Sequence, residues 1–197
     1  MAKLDFWYSI GSTYSYLTVA RMRGYARQHG LQVTWRPFDV RRIMMAQNNI
    51  PFRDKPIKTA YMWRDMERRA DLFGLPINVP APYPLPNLPL ANKVAVLGMT
   101  EGWGEDYTIE TYRRWFIDGQ EAGSDPNLSN SLRAVGQDPV AVLARAAGEE
   151  GTALLAAETD KAEALGIFGS PTFVVGKEVF WGDDRLDEAA AWATRAA

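Results

Sequence analysis

The chain has 197 residues, of which 47% are hydrophobic, 23% charged and 12% aromatic, and none is cysteine. That length suits one domain, or one domain carrying a large insertion, and is enough to bury a sizeable core. The 22 basic and 24 acidic residues leave a formal net charge of −2, which argues against nucleic acid as a main partner because phosphate contact needs clustered positive charge. The empty cysteine count excludes disulfides, zinc-thiolate sites, iron–sulfur clusters and a protein thiol nucleophile. With His29 as the one histidine, a His-rich metal site and a Cys/His dyad are excluded as well.

No basic segment followed by an apolar one precedes the first strand, and no apolar run reaches roughly 18 residues. The sequence therefore predicts a soluble cytoplasmic protein. Leu4–Ser9 reads as a first strand, apolar and aromatic, closing at Gly11. A helix is expected over Thr13–Gln28, with Ser12 and Thr13 as N-caps and His29-Gly30 as its end. Leu31–Asp39 alternates Leu31, Val33 and Trp35 against Gln32, Thr34 and Arg36, the pattern of a second strand. Handedness makes these two strands parallel.

The middle of the chain lacks any convincing strand from about residue 41 to 165. Pro56–Gly74 has helical spacing in Tyr61, Met62, Met66, Ala70 and Phe73. Six prolines between Pro76 and Pro89 then forbid a helix or central strand and predict an extended loop. Helices are expected over Leu90–Glu101, Thr108–Gly119, Asn127–Val135, Pro139–Gly148 and Thr152–Leu165. Strands return at Thr172–Val175 and Glu178–Trp181, joined by Gly176-Lys177 as an antiparallel hairpin. Asp183-Asp184 should cap a last helix, about Arg185–Ala196. The order is β-α-β, a helical block, then β-β-α. Residues 1–40 and 166–197 would build one sheet around a helical insertion over residues 41–165.

Three local features could carry chemistry. Gly11-Ser12-Thr13-Tyr14-Ser15 lies at a strand-to-helix junction, where free N–H groups and the helix dipole favour an anion. Ser and Thr there also serve as plain N-caps, and the local pattern leaves both readings standing. Ser170-Pro171 precedes a strand; a cis bond there would leave the Ser170 backbone free to pair with an extended peptide, whereas a trans proline would simply open the strand. Asp184 and Arg185 could hold an ammonium and a carboxylate, or cap a helix and face solvent.

Taken together, these features resemble the thioredoxin fold. Ser12-Thr13-Tyr14-Ser15 stands in the place of a C-x-x-C motif, with serine at both cysteine positions. The helical insertion resembles DsbA-type oxidoreductases. A closer resemblance is to the branch of 2-hydroxychromene-2-carboxylate isomerases and kappa-class glutathione transferases. It rests on Asp5-Phe6-Trp7-Tyr8, Ser12, Tyr14-Ser15-Tyr16-Leu17, Tyr61-Met62, Tyr112–Phe116 and Asp118-Gly119. The tail Gly166–Phe173 with Phe180–Leu186 is its most specific part.

The resemblance implies glutathione as cofactor. Ser12 matches the serine that hydrogen-bonds the glutathione sulfur. Ser170, before an expected cis Pro171, matches the residue whose backbone pairs with the cysteinyl part. Asp184 and Arg185 match the pair at the γ-glutamyl end, and Asn49 and Lys58 match insertion residues that reach glutathione, its glycyl end included. The implied reaction interconverts 2-hydroxychromene-2-carboxylate and trans-o-hydroxybenzylidenepyruvate, with a small aromatic keto acid as substrate. A kappa-class-like transferase and a noncatalytic thioredoxin-like binding module are the alternatives. Relatives of this branch are commonly homodimers. Trp63, Tyr83, Trp103, Trp115 and Trp181 are candidates for an aromatic pocket. Two departures stand out: Thr13 replaces the proline often found after the serine, adding a hydroxyl near the sulfur position, and Ser9 replaces a frequent aspartate.

Overall fold

A computed structural model describes residues 1–49, 52 and 54–195. Strand β1, Ala2–Tyr8, sits inside a four-stranded sheet in the order β2-β1-β3-β4. Helix α1, Ser15–His29, crosses from β1 to β2, Leu31–Pro37, which runs parallel to β1 with Phe6 opposite Trp35. Strand β3, Thr172–Val175, pairs antiparallel with β1 on its other side, placing Phe173 against Phe6. Strand β4, Glu178–Trp181, closes the expected hairpin with Thr172 opposite Trp181.

The alternation of β1 explains its central place. Leu4, Phe6 and Tyr8 point into the main core with Trp35 and Phe173, while Trp7 packs on the other face with Phe38, Val40, Ile43 and Ile167. A strand buried on both faces needs the near-continuous apolar run that β1 carries.

Between β2 and β3 the chain is helical: α2 Val40–Ala46, α3 Pro56–Phe73, α4 Leu88–Glu101, α5 Gly104–Phe116, α6 Asn127–Ala134, α7 Pro139–Ala147 and α8 Glu149–Ala164. A 3-10 turn over Asp183–Arg185 leads into α9, Leu186–Arg195; the expected last residue of that helix, Ala196, lies outside the described residues. Among the described residues no helix is long and apolar enough to cross a membrane.

Several expectations need correction. Helix α1 starts at Ser15 with Tyr14 at its N-cap and no side-chain cap, so neither Ser12 nor Thr13 caps it; both hydroxyls are engaged elsewhere. Helix α2 was not expected, although Asp39 announces it by accepting from the Arg41 and Arg42 N–H groups. Helix α4 begins two residues early and takes in Pro89, because a proline in the first turn forfeits no helical bond. The segment 74–87 is irregular as expected, and hydrogen bonds with α1 and α5 pin it. Asn78 N–H donates to the Phe116 carbonyl at 2.7 Å, Trp115 Nε1 to the Pro82 carbonyl at 2.7 Å, and the Tyr16 hydroxyl to the Pro76 carbonyl.

Candidate active site

The turn between β1 and α1 is fixed from several sides. Ser12 N–H donates to the Ser9 carbonyl at 3.0 Å. Asn92 of α4 accepts from Ile10 N–H at 2.8 Å and donates to the Ile10 carbonyl at 2.9 Å. Gly11 adopts φ +126°, and a Cβ there would lie 2.3 Å from a Leu88 methyl, so only glycine fits. No partner among the described residues takes the N–H groups of Thr13 and Tyr14. These two donors, at the positive end of α1, are the anion-attracting part of the turn.

Ser12 and Ser170 meet here, as the sequence led us to expect, though in an unexpected way. The Ser170–Pro171 bond is cis. The Ser170 carbonyl is not free: the Ser12 hydroxyl donates to it at 2.7 Å. The Ser170 hydroxyl accepts from Ser9 N–H at 2.9 Å and lies 2.9 Å from the Ser15 hydroxyl. Thr13 does not add a hydroxyl to the mouth of the site. Its side chain is buried and donates to the Met62 sulfur at 3.1 Å.

Ser12 opens into a cavity of about 310 Å³. Phe52, Tyr61, Tyr83 and Trp181 supply aromatic walls, with Met44 and Leu88 as aliphatic ones. Arg41 of α2 and Lys58 of α3 are its charged lining residues, and no Asp or Glu joins them among the described residues. Lys58 Nζ sits 5.3 Å from the centre of the Phe52 ring. Burial raises the Tyr83 phenol above its ordinary range against the opposing charge of Arg41, so this wall is a neutral donor. Of the five aromatic candidates, Tyr83 and Trp181 line the cavity. Trp63 backs Tyr83 edge-on at 5.9 Å, while Trp103 and Trp115 belong to the core.

A second cavity, of about 620 Å³, adjoins the first and shares Tyr14, Tyr61, Ser170 and Trp181 with it. Pro171, Asp65, Arg69, Asp184 and Arg185 line the rest. Asp184 and Arg185 are more than half exposed, and Arg185 pairs with Glu188 at 3.3 Å. Beneath them Asp183 is buried, held by Arg21 at 2.9 Å, Arg69 at 2.6 Å and the Thr18 hydroxyl at 2.7 Å. Tyr14 donates to Asp65 at 2.9 Å, and burial together with that carboxylate lifts its phenol far above the usual range. Trp181 reaches both cavities across Gly169, where a Cβ would strike the indole nitrogen at 2.2 Å.

Of the residues singled out from sequence, Ser12, Lys58 and Ser170 share the first cavity, and Ser170, Pro171, Asp184 and Arg185 share the second. Asn49 lines neither. It is exposed just past α2, with its N–H on the Met44 carbonyl at 2.8 Å. Sequence reasoning missed Arg41, Met44, Phe52 and the buried Asp183. The one available signal for the first two was the Asp39 N-cap that starts their helix.

Residues 3–191 match the family described as the DSBA-like thioredoxin domain. A 2-hydroxychromene-2-carboxylate isomerase of Sphingobium xenophagum is 28% identical over 93% of this chain and 94% of its own. Glutathione S-transferase kappa 1 of Caenorhabditis elegans is 21% identical over 94% of this chain and 88% of its own. Among solved structures, a 2-hydroxychromene-2-carboxylate isomerase superposes with a TM-score of 0.87 at 25% identity, covering 98% of this chain and 95% of that one.

Proposed function

This chain belongs to the DSBA-like thioredoxin domain family, and from that premise we propose that it is a glutathione-dependent isomerase of an aromatic keto acid of the 2-hydroxychromene-2-carboxylate type. The observation that carries the reading is the first cavity: a cysteine-free helix mouth at Ser12, aromatic walls, and two cations with no acidic lining residue among those described. An aromatic ring bearing a carboxylate matches such a lining. The sulfur that the scaffold lacks would come from glutathione. A named isomerase and a named glutathione transferase among the relatives support this.

The roles follow from the geometry. A free thiol has a pKa near about 8.5, and a helix N-terminus favours its thiolate. The Thr13 and Tyr14 N–H groups would face the sulfur, and the Ser12 hydroxyl would turn from the Ser170 carbonyl to the sulfur, freeing that carbonyl. Ser170 would pair with the cysteinyl backbone, and Asp184 and Arg185 would hold the γ-glutamyl end. Lys58 would take a carboxylate from glutathione or substrate, and Arg41 the substrate carboxylate. Ser12 is a hydrogen-bond donor in this account and not a covalent nucleophile, since no base stands beside it. The protein's one histidine, His29, stacks on Tyr25 at 4.1 Å at the far end of α1.

In the reaction the ring C–O bond of the hemiketal breaks as its hydroxyl proton passes to the phenol oxygen, which gives the open conjugated keto acid; the thiolate then adds to the alkene carbon beside the ring and the electron pair moves onto the keto group. The former double bond becomes single and rotates. The electron pair then returns, the carbon–sulfur bond breaks, and glutathione leaves unchanged. Substrate and product differ only in bond arrangement, so no oxidant or reductant is needed. A transferase would use the same glutathione site but retain the carbon–sulfur bond in its product. The cationic pair beside an aromatic cavity favours the keto-acid reading.

The test is turnover of 2-hydroxychromene-2-carboxylate with and without glutathione, in the wild type and in Ser12→Ala. The proposal expects glutathione-dependent turnover that Ser12→Ala sharply reduces. Glutathione-independent turnover, or full activity in Ser12→Ala, overturns it.

A further inference from the structure

Ser15 and Tyr112 have no part in the chemistry just described, yet hydrogen bonds tie both to the turn under Ser12. Tyr112, on α5, is fully buried. Its hydroxyl donates to the Ser9 carbonyl at 2.9 Å and is shared with the Ser12 carbonyl at 3.2 Å. Ser15 lies 2.9 Å from the Ser170 hydroxyl, and that hydroxyl accepts from Ser9 N–H at 2.9 Å.

A carbonyl can only accept, so the Tyr112 proton points to Ser9 and Ser12. Ser15 reaches the same turn from the other side, through the Ser170 hydroxyl that accepts from Ser9 N–H.

We propose that Tyr112, backed by Ser15, is a positioning residue for the thiolate site, holding the Ser9 and Ser12 carbonyls turned into the core. The N–H groups of Thr13 and Tyr14, and not these carbonyl dipoles, then face a bound sulfur. Dipoles fixed in advance of charge cost no reorganisation when the charge arrives. This assignment rests on the glutathione reading above. It gives the second serine of the Ser12–Ser15 motif a purpose: Ser15 steadies the Ser170 hydroxyl that holds Ser9 N–H.

The experiment compares wild type, Tyr112→Phe and Ser15→Ala for thermal stability, for affinity to S-methylglutathione, and for the pKa of bound glutathione read from thiolate absorbance. S-methylglutathione has no ionisable thiol, so its affinity reports the shape of the site alone. We expect both variants to fold and to bind S-methylglutathione as the wild type does. The pKa of the bound thiol should rise by about one unit, a roughly tenfold loss of thiolate at a pH below it. A folded Tyr112→Phe with an unshifted thiol pKa overturns the assignment; should Tyr112→Phe not fold, an unshifted Ser15→Ala does the same. Wild-type protein that binds neither glutathione nor its S-methyl analogue overturns the glutathione reading itself, and this assignment with it.

Discussion

Asn92 acts as a strand partner for a single residue: its side-chain amide bonds both the N–H and the carbonyl of Ile10, at 2.8 and 2.9 Å. Asn92 and Ile10 are fully buried, and the amide also donates to the Leu88 carbonyl at 3.0 Å. Removing the amide strands backbone groups away from water, and each such group costs about 1–3 kcal/mol. Asn92→Ala should therefore lower stability by about 3 kcal/mol, read from denaturant midpoints. Lys93→Ala, next in sequence but half-buried and bonded through its ammonium to the Thr152 hydroxyl, should change it by less than about 0.5 kcal/mol. Equal effects would contradict this account of the Ser12 turn.

Asp183 sits under the second cavity between two arginines. Asp183→Asn keeps the shape and removes the charge, leaving Arg21 and Arg69 without their shared counter-ion. Breaking a buried pair from one side costs about 3–5 kcal/mol. Asp184→Asn, at a side chain that is 55% exposed, should cost little stability and act on ligand affinity instead. A thermal scan in which Asp183→Asn is as stable as wild type would show that the cluster does not hold α1 and α3 to the last turn.

Alkaline pH should unfold the protein through its tyrosines. Burial holds the phenols of Tyr8, Tyr107 and Tyr112 well above their usual range, and pushes Tyr16 up to about 12. In the unfolded chain these groups ionise near about 10. A group whose folded pKa is the higher contributes stability below the unfolded pKa and loses it as pH rises through the folded one. Stability should thus fall above pH ~10. The phenolate absorbance of the buried tyrosines should appear together with the loss of circular dichroism. Their ionisation in a chain that is still folded would contradict the burial argument.

Much of this site was legible in the sequence, and the limits have physical causes. The first strand announced itself through its apolar and aromatic run, the second through alternation and the last two through the Gly176-Lys177 turn, and Ser12 and Ser170-Pro171 through their junction positions. The long helices showed apolar spacing; α2 is only seven residues long, too short for periodicity to register. Arg41 and Phe52 were therefore invisible as cavity residues, because their approach to Ser12 is set by packing of distant segments. Asp183 read as a cap beside Asp184. That one of the pair is buried and the other exposed depends on Arg21 and Arg69, more than a hundred residues earlier. Asn49 shows the opposite limit: its residue type matched, whereas its exposed place past the end of α2, outside either cavity, depends on packing that the sequence does not display.

In the proposed reaction Arg41 and Lys58, which both line the first cavity, would divide the recognition of anions. Arg41→Ala should raise KM for the aromatic keto acid about tenfold or more, the worth of one charge-assisted hydrogen bond. It should leave glutathione affinity nearly unchanged. Lys58→Ala, at a side chain more exposed than that of Arg41, should act more weakly on the keto acid. Steady-state kinetics varied in each substrate separate the two effects. A loss of glutathione affinity in Arg41→Ala with unchanged keto-acid KM would reverse the assignment.

The central claim is that the sulfur absent from Ser12-Thr13-Tyr14-Ser15 arrives with glutathione. A crystal of the protein soaked with glutathione tests it most directly. The account predicts density for the tripeptide with its sulfur at hydrogen-bonding distance from the Ser12 hydroxyl and the Thr13 N–H, its cysteinyl backbone on Ser170 and its γ-glutamyl end beside Asp184 and Arg185. An empty site at saturating glutathione, or a tripeptide bound with its sulfur away from Ser12, would contradict it.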